Sequence, residues 1–290
     1  CLVMVPATQL VGNWKAHDAS ERRFTRDYAA NALESLPPNA IYFTVGDNDS
    51  FPVWYLQTVE GVRPDVRIVN LSMANAAWYV DQILRQHPSF PIALTKEQRQ
   101  ASTTAGWRDT TLVIPIASTA PLLGLPTDAT VPDAITVRPR PLYGGVLSEA
   151  DVVLLDIVST NQWRVPLTFA ITVGDGGMGW LKPYGRLEGL YWRVVPVADV
   201  RVDPEVLRAN LLGRYEYRGY ADDSVRIDDV SRMIGLQYVS AFGTLLEAEE
   251  ARGAMDRCRE AKERLLAVLP PGRLTLPAQN RESLGNRCRS

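Results

Sequence analysis

The stretch "AIYFTVGDNDSFPVWYLQTVEGVRPDVRIVNLSM", residues 40–73, alternates apolar runs with turn residues. Its first run, "AIYFTV", is apolar almost throughout, which is typical of a strand buried on both faces, and "DVRIVNLSM" is a second such run. Asp49 or Ser50 can cap a helix between them, Pro52 suits its first turn, and Gly61 is placed to end it. Strand, helix and strand at this spacing predict a parallel βαβ unit.

The segments on either side of this unit extend the pattern. Residues 14–36 carry apolar side chains at four-residue spacing and predict a surface helix that ends before Pro37. After the second strand, "NAAWYVDQILRQ" predicts another helix, entered from Asn75. Two later apolar runs, "VPLTFAITV" and "GRLEGLYWRVVPV", each predict one more strand. We therefore expect an α/β fold with an open, mostly parallel Rossmann-like sheet within residues 13–202.

The remaining segments differ from the sheet in composition. Residues 91–146 are rich in proline and predict an irregular insertion with a strand or two, and Ser148 predicts the start of the helix that follows. Residues 203–270 predict a tetratricopeptide-like helical hairpin, broken near Gly253, that docks on the α/β domain or continues into further repeats. Residues 271–290 predict a flexible tail.

Charge and cysteine usage argue against several classes of function. The net charge is −2 and Lys and Arg form no basic block, so a nucleic-acid partner is not expected. Cys1, Cys258 and Cys288 are widely spaced and predict neither a disulfide framework nor a metal site. His17 and His87 have no partner at ligand spacing, and the sequence shows no Ser-His-Asp, Cys-His or metalloprotease arrangement.

The chain begins with the apolar run "CLVMVPATQLV", residues 1–11. This run is too short to span a bilayer, which takes about 20 residues, and it lacks the basic segment of a signal peptide. We interpret residues 1–12 as the end of a truncated membrane helix. An acylated Cys1 and a buried N-terminal strand are the alternatives.

A polar cluster follows the first predicted strand. The sequence "TVGD" occurs at residues 44–47 and again at residues 172–175, each time after an apolar run. If the two strands are neighbours, Asp47, Asp49 and Asp175 meet at one carboxyl edge of the sheet. Ligands of open α/β sheets bind at that edge, so these side chains form a candidate site.

The acidic rim has two possible roles, either as a ligand-binding site or as a purely structural cap of the helix. The turn has no G-x-G-x-x-G motif, but Asp47 and Asp49 could hold a divalent cation that bridges to a phosphate. Arg164 is a candidate ion-pair partner for the rim. In the alternative interpretation, Asn48 and Asp49 only cap the helix and satisfy the amides of the turn.

Two Trp-Tyr pairs, one in each predicted helix, are the second candidate feature. They are Trp54 with Tyr55 and Trp78 with Tyr79. Exposed, these rings could hold a sugar or a peptide by stacking, whereas buried they are ordinary core residues. We expect at least one member of each pair to be buried.

The run G-D-N-D-S-F-P-V-W-Y, residues 46–55, together with "EGVRPDVRIVNLS", resembles a known family. The family comprises the soluble C-terminal regions of bacterial polytopic membrane proteins, long filed as a domain of unknown function. They are related to transmembrane protein O-mannosyltransferases of the glycosyltransferase-C superfamily. The resemblance is strongest over residues 13–84, weakens over residues 91–146, and returns loosely at "NQWRVPLTFA" and "YGRLEGLYWRVVP".

The resemblance implies a membrane enzyme that moves a sugar, such as mannose, from a polyprenyl phosphate donor to Ser or Thr of an acceptor protein. In such superfamilies the catalytic acid lies on an early extracytoplasmic loop, so no catalytic residue and no cofactor are expected in this chain. The chain would be a non-catalytic, membrane-anchored extracytoplasmic (periplasmic) domain. It would position the acceptor protein or brace its own transmembrane region.

Two alternatives stay open at this point. The chain could be a stand-alone, cation-dependent α/β enzyme that acts on a phosphorylated or sugar substrate at the rim formed by Asp47 and Asp49. It could also be a protein-interaction module that binds its partner through the helical tail.

Overall fold

The computed structural model describes residues 3–104, 111–117, 125, 130–139 and 146–289 of the chain. The strands are β1 (Ile41–Thr44), β2 (Arg67–Asn70), β3 (Leu112–Pro115), β4 (Ala134–Val137), β5 (Leu167–Ala170), β6 (Gly185–Leu187) and β7 (Tyr191–Val194). The helices are α1 (Met4–His17), α2 (Phe24–Ser35), α3 (Asp47–Val59), α4 (Ala77–Gln86), α5 (Lys96–Thr104), α6 (Glu149–Asn161), α7 (Gly174–Met178), α8 (Pro204–Arg208), α9 (Asp229–Ala251), α10 (Met255–Val268), α11 (Pro271–Leu274) and α12 (Ala278–Asn286).

Five strands form one mixed sheet in the order β2-β1-β5-β7-β6. Strand β1 is parallel to both β2 and β5, whereas β7 is antiparallel to β5 and to β6. The expected α/β class is confirmed, but the sheet is parallel only over β2, β1 and β5.

The segment "GRLEGLYWRVVPV" forms two strands, β6 and β7, where one was predicted. The apolar pattern did not reveal the turn, because the polar side chains of this hairpin are buried and bonded to one another. Arg186 donates to Glu188 at 2.9 Å, and the Tyr191 hydroxyl donates to the same carboxylate at 2.9 Å. The turn at residues 188–190 is therefore hidden in a stretch that looks like one continuous strand.

The predicted βαβ unit is confirmed by β1, α3 and β2. Every residue of β1 is buried, and Phe43 stacks on Phe169 of β5 with ring centroids 4.6 Å apart. Helix α3 begins at Asp47 with Gly46 as its N-cap, so the expectation that Asp49 or Ser50 caps it is wrong. Gly61 follows the helix with φ of 69°, as its predicted stopping role requires.

The helix predicted over residues 14–36 is two helices, α1 and α2, with the turn at residues 18–23 between them. Helix α2 is not a surface helix, because it packs between α3 and α9 and buries Phe24, Tyr28 and Leu33. Polar side chains of α2 form hydrogen bonds with the C-terminal part of the chain. The Asn31 amide, for instance, donates to the Tyr238 hydroxyl of α9 at 2.8 Å.

Helix α1 exposes its apolar side chains. Val11 is 81% exposed and Trp14 is 61% exposed. Within the part of the chain that the structure describes, we find no helix with the length and apolar character needed to cross a bilayer.

The insertion contains the predicted strands and one helix that the sequence did not predict. Strands β3 and β4 form an antiparallel ribbon, and α5 precedes them. Pro121, Pro126 and Pro141 lie outside the described residues. Helix α6 begins with the predicted cap: Asp151 N–H donates to Ser148 Oγ at 3.1 Å, and Ser148 N–H donates back to the Asp151 carboxylate at 2.9 Å.

The C-terminal part is the predicted helical hairpin, formed by α9 and α10 and broken at Gly253, whose φ is 72°. Residues 271–289 differ from the expected flexible tail. They form α11 and α12, and they bury Leu274 and Leu284 against the rest of the molecule. A disulfide joins Cys258 to Cys288 with Cα atoms 5.6 Å apart.

The spacing of the cysteines did not predict this single bond. One pair of cysteines separated by 30 residues leaves no repeated spacing in the sequence, and the fold alone brings Cys258 of α10 to the end of the chain. Cys1 lies outside the described residues.

Candidate functional site

The predicted acidic rim lies at the point where the strand order of the sheet reverses. The chain passes from β1 through α3 to β2 on one side, and later returns to β5 on the other side of β1. The two "TVGD" strands are thus parallel neighbours, as the convergence of their aspartates required. Such a reversal forms the crevice in which open α/β sheets bind ligands.

Asp49 is the buried acid of this rim, with 5% of its surface exposed. Its Oδ1 accepts a hydrogen bond from the Tyr28 hydroxyl at 3.3 Å, and its Oδ2 accepts one from the Thr172 hydroxyl. Burial raises the pKa of Asp49, and the two hydroxyl donors oppose that shift only in part. Asp49 therefore links α3 to α2 and to the end of β5.

Ser50, the next residue, links the two strands of the βαβ unit. Its hydroxyl lies 2.7 Å from Thr44 Oγ1 of β1 and accepts from the Asn70 amide of β2 at 2.7 Å. Asn70 is itself held by two further bonds: its Oδ1 accepts from Met73 N–H at 2.9 Å, and its own N–H donates to the Tyr79 hydroxyl at 2.9 Å.

We call this group of hydrogen-bonded side chains the rim clamp; it comprises Asp49 and Ser50 with Tyr28, Thr44, Asn70, Tyr79 and Thr172. All but one of its members are buried, Thr172 being exposed. It fixes the carboxyl ends of the three parallel strands.

The other members of the predicted rim are open to solvent or lie elsewhere. Asp47 and Asn48 are exposed, and they border a crevice of about 270 Å³ that reaches α9 at Gln237. Residue Asp175 falls in α7, and its side chain lies outside the described residues. Arg164 precedes β5 and so lies at the opposite end of the strand, where it donates to the Thr160 carbonyl at 3.1 Å.

The cation predicted between Asp47 and Asp49 stays a prediction. Both oxygens of Asp49 hold hydroxyl donors, while Asp47 faces solvent. Among the described residues, the one group of three potential ligands is Glu250 with Cys258 and Cys288, and its two cysteines are joined as a disulfide.

The predicted aromatic residues line a second and larger cavity, which we call the aromatic groove. It lies between α3 and α4, has β2 as part of its floor, and encloses about 610 Å³. Trp54, Trp78 and Tyr79 line it, whereas Tyr55 does not. The expected burial of one member in each pair is confirmed for Tyr79; in the first pair Trp54 is half-buried and Tyr55 is 52% exposed.

Sequence reasoning missed the polar side chains of the aromatic groove. They are Gln57, Arg67, Gln82, Gln86 and His87. The signal was present in the helical spacing, because residues three and four apart share one face of a helix. Gln57 lies three residues after Trp54, and Gln82 lies four residues after Trp78.

The chain combines a mixed five-stranded sheet, an acidic rim fixed by a hydrogen-bonded clamp, and a C-terminal helix, α9, that packs on α2. The family described as TMEM260-associated domain 2 matches residues 25–114 and 126–210, which is more than half of the chain, and the chain belongs to that family.

The chain is similar to the curated mouse (Mus musculus) protein named protein O-mannosyl-transferase TMEM260. The two are 33% identical over 82 residues, which is 28% of this chain and 12% of the mouse protein. The chain thus covers a small part of that relative's length. No solved structure matches the chain.

Proposed function

We propose that this chain is a non-catalytic, extracytoplasmic domain of a membrane glycosyltransferase-like protein of the protein O-mannosyltransferase type. The observation that carries the proposal is the family match over the sheet and α2–α8, supported by the similarity to a relative whose name is protein O-mannosyl-transferase. We extend it to the bacterial members that the sequence resembles and to the glycosyltransferase-C superfamily. The Rossmann-like and tetratricopeptide-like descriptions of β1–α3–β2 and α9–α10 stay predictions.

The proposed role is to position an acceptor protein or to brace the transmembrane region of the same protein. Support comes from the rim, where the buried carboxyl group of Asp49 is held by two hydroxyl groups as a structural element. Support also comes from α1, whose exposed apolar side chains suit contact with lipid or with membrane helices. The polyprenyl phosphate donor would then bind to the transmembrane region and not to this domain.

The extracytoplasmic placement is supported by the disulfide between Cys258 and Cys288. Disulfides form and persist in oxidising compartments such as the periplasm and the cell exterior, and they are rare in the cytosol. Both sulfur atoms belong to buried residues, which suits a structural bond.

A second candidate function is a cation-dependent enzyme at the rim. The observation that favours it is the position of Asp49, a buried carboxyl group with a raised pKa beside a crevice of about 270 Å³ at the strand-order reversal. Titration calorimetry with Mg²⁺ or Mn²⁺ separates the two candidates. Binding that is lost in Asp47→Ala and Asp49→Ala supports the enzyme, and no heat at millimolar metal excludes it.

The main proposal is tested by assaying mannose transfer from a polyprenyl phosphate donor to a Ser/Thr peptide. We expect activity from the full-length membrane protein, no activity from this chain alone, and loss of activity when this domain is deleted from the full-length protein. Transfer by the isolated chain would overturn the proposal. The reading frame upstream of Cys1 gives an independent check, because it should encode several apolar spans of about 20 residues.

The compartment is tested separately with an exposed reporter. Asn48→Cys places a thiol at the open part of the rim, and we expect a membrane-impermeant thiol reagent to label it in cells whose outer barrier alone has been opened. Labelling only after lysis of the inner membrane would place the domain in the cytosol.

A further inference from the structure

We propose that the aromatic groove binds a neutral saccharide, whose pyranose rings stack on the indoles of Trp54 and Trp78 while the polar side chains of the groove bond to its hydroxyl groups. The biological setting rests on the proposed function; the ligand class rests on the chemistry of the groove itself.

The first observation is the placement of the two indoles. Trp78 is 57% exposed and lines the groove together with Trp54, so the two indoles present apolar surface to one cavity. Each indole is braced by a ring of its own helix: Trp78 by Tyr79 at 5.9 Å between centroids, and Trp54 by Phe51 at 5.6 Å. Rings held in this way offer flat apolar faces at little cost in conformational entropy.

The second observation is the set of unpaired polar side chains beside these rings. Arg67, Gln82, Gln86 and His87 line the groove, and their side chains form no hydrogen bond or ion pair with any described residue. Amide and guanidinium groups present two polar atoms at a spacing that suits neighbouring hydroxyl groups. A few such groups among apolar walls are what fixes the orientation of a ligand in a pocket.

The third observation is the charge of the groove. None of the described residues that line it carries a carboxylate, so neither a metal ion nor an amine is favoured. Burial lowers the pKa of His87, and the nearby Arg67 charge lowers it further. Both effects favour the neutral imidazole, which can donate and accept a hydrogen bond, as a hydroxylated ligand requires.

The edge of the sheet argues against an extended peptide as the occupant. A peptide that adds a strand needs free backbone groups along the edge. On β2 the Asn70 N–H is already bound to the Tyr79 hydroxyl at 2.9 Å, and the Val66 carbonyl just before the strand accepts from the Gln57 amide at 2.9 Å. Two backbone groups at this edge are thus already engaged, whereas the polar side chains of the groove are open to a ligand.

The test is titration of this chain with methyl α-mannoside and with an α-linked mannobiose, followed by calorimetry and by tryptophan fluorescence. We expect a dissociation constant on the order of 1 mM for the better of the two sugars. Trp78→Ala should weaken binding at least about ten-fold, and Gln82→Ala should weaken it less. Trp78→Tyr, which keeps a flat ring, should retain part of the binding.

Tyr55→Ala is the matched control, because Tyr55 is about as exposed as Trp78, at 52% against 57%, but does not line the groove. Binding should be unchanged in this variant. Three results overturn the proposal: no heat or fluorescence change with either sugar, binding that survives Trp78→Ala, or groove-dependent binding of a Ser/Thr-rich peptide in place of sugar.

The outcomes also separate this proposal from the proposed function. If neither sugar binds but the full-length protein still needs this domain for transfer, only the proposal that the groove binds a saccharide is rejected. If the isolated chain transfers mannose, the proposed function falls, whatever the groove binds.

Discussion

The rim clamp and the aromatic groove both include residues of α3 and share Tyr79, yet their other polar side chains are bonded in opposite ways. In the rim clamp, Asp49, Ser50 and Asn70 are buried, and the side chain of each is hydrogen-bonded to another member of the clamp. In the aromatic groove, the side chains of Arg67 and Gln82 face a cavity and form no hydrogen bond or ion pair with any described residue. The most conspicuous motif of the sequence therefore holds the strands together, while less conspicuous residues are left free for a ligand.

The difference follows from the cost of leaving a polar group unpaired. A buried donor or acceptor without a partner costs about 1 to 3 kcal/mol, so a cluster in which each buried group is paired contributes to stability. A polar or aromatic side chain that faces a cavity adds little stability and keeps its bonding capacity for a ligand. Substitutions in the two regions should thus separate stability from binding.

The largest effect on the free energy of unfolding is expected from the disulfide, which lies in neither the rim clamp nor the aromatic groove. It provides a reference for global destabilisation. The disulfide between Cys258 and Cys288 closes a loop of 30 residues, and replacing both cysteines by serine should lower the free energy of unfolding by about 3.5 kcal/mol. Urea unfolding of the purified variant measures the change. Saccharide binding by the folded fraction should be unchanged, since neither cysteine lines the groove. Weaker binding would contradict the separation of stability from binding.

The next effect is expected within the rim clamp. Asn70→Ala removes the donor to Ser50 and the acceptor for Met73 N–H, and it should lower the free energy of unfolding by about 2 kcal/mol. Asn48→Ala is the matched control, because Asn48 is exposed at the same rim; its effect should stay within about 0.5 kcal/mol. Equal losses in the two variants would show that the clamp does not carry the stability assigned to it.

These residues also show how far the sequence leads. The strands β1 and β2, the helix stop at Gly61 and the cap at Ser148 were predictable, because each depends on neighbours within a few positions. The burial of α2 was not predictable, because it depends on partners far away in sequence, such as Tyr238 for Asn31. The hairpin of β6 and β7 was missed for a local reason, because Glu188 in its turn is buried and paired with Arg186 and Tyr191.

The candidate site divides in the same manner. The meeting of the two "TVGD" strands was predictable from their shared pattern and is confirmed by the pairing of β1 with β5. The sequence left open which of Asp47 and Asp49 is buried, and it wrongly suggested that Arg164 could reach the rim. The burial of Asp49 depends on which face of α3 it occupies, and the position of Arg164 depends on the direction in which β5 runs. Both facts follow only from the three-dimensional structure.

A smaller effect is expected from the charge of Asp49 and should depend on pH. Burial raises the pKa of Asp49 above its ordinary value of 3.8, so the folded chain binds this proton more tightly than the unfolded chain. As pH rises from that ordinary value through the raised pKa, wild type should lose stability relative to Asp49→Asn, and the difference should then stay constant. It should be smaller than the effect of Asn70→Ala.

Urea unfolding of wild type and Asp49→Asn at a series of pH values measures this difference. A wild type that gains stability relative to the variant as pH rises would mean that the hydroxyl donors or a cation stabilise the carboxylate by more than burial destabilises it. If added Mg²⁺ produced that gain, the rim would be a cation site, and the contrast between rim and groove would no longer hold.

The smallest effect on stability is expected at Trp78, beside a residue with the opposite behaviour. Trp78 and Tyr79 are neighbours on α4, yet Trp78 is 57% exposed in the groove while Tyr79 is 6% exposed and accepts from Asn70 N–H at 2.9 Å. Trp78→Ala should change the free energy of unfolding by less than about 0.5 kcal/mol and abolish most saccharide binding. Tyr79→Phe should cost about 1 kcal/mol and leave most binding intact, because its ring still braces Trp78.

Urea unfolding and calorimetry on the two variants measure the change in stability and the change in saccharide binding. If Trp78→Ala destabilised the chain more than Tyr79→Phe, the exposed indole would be part of the core, and the groove would lose its main argument for a ligand.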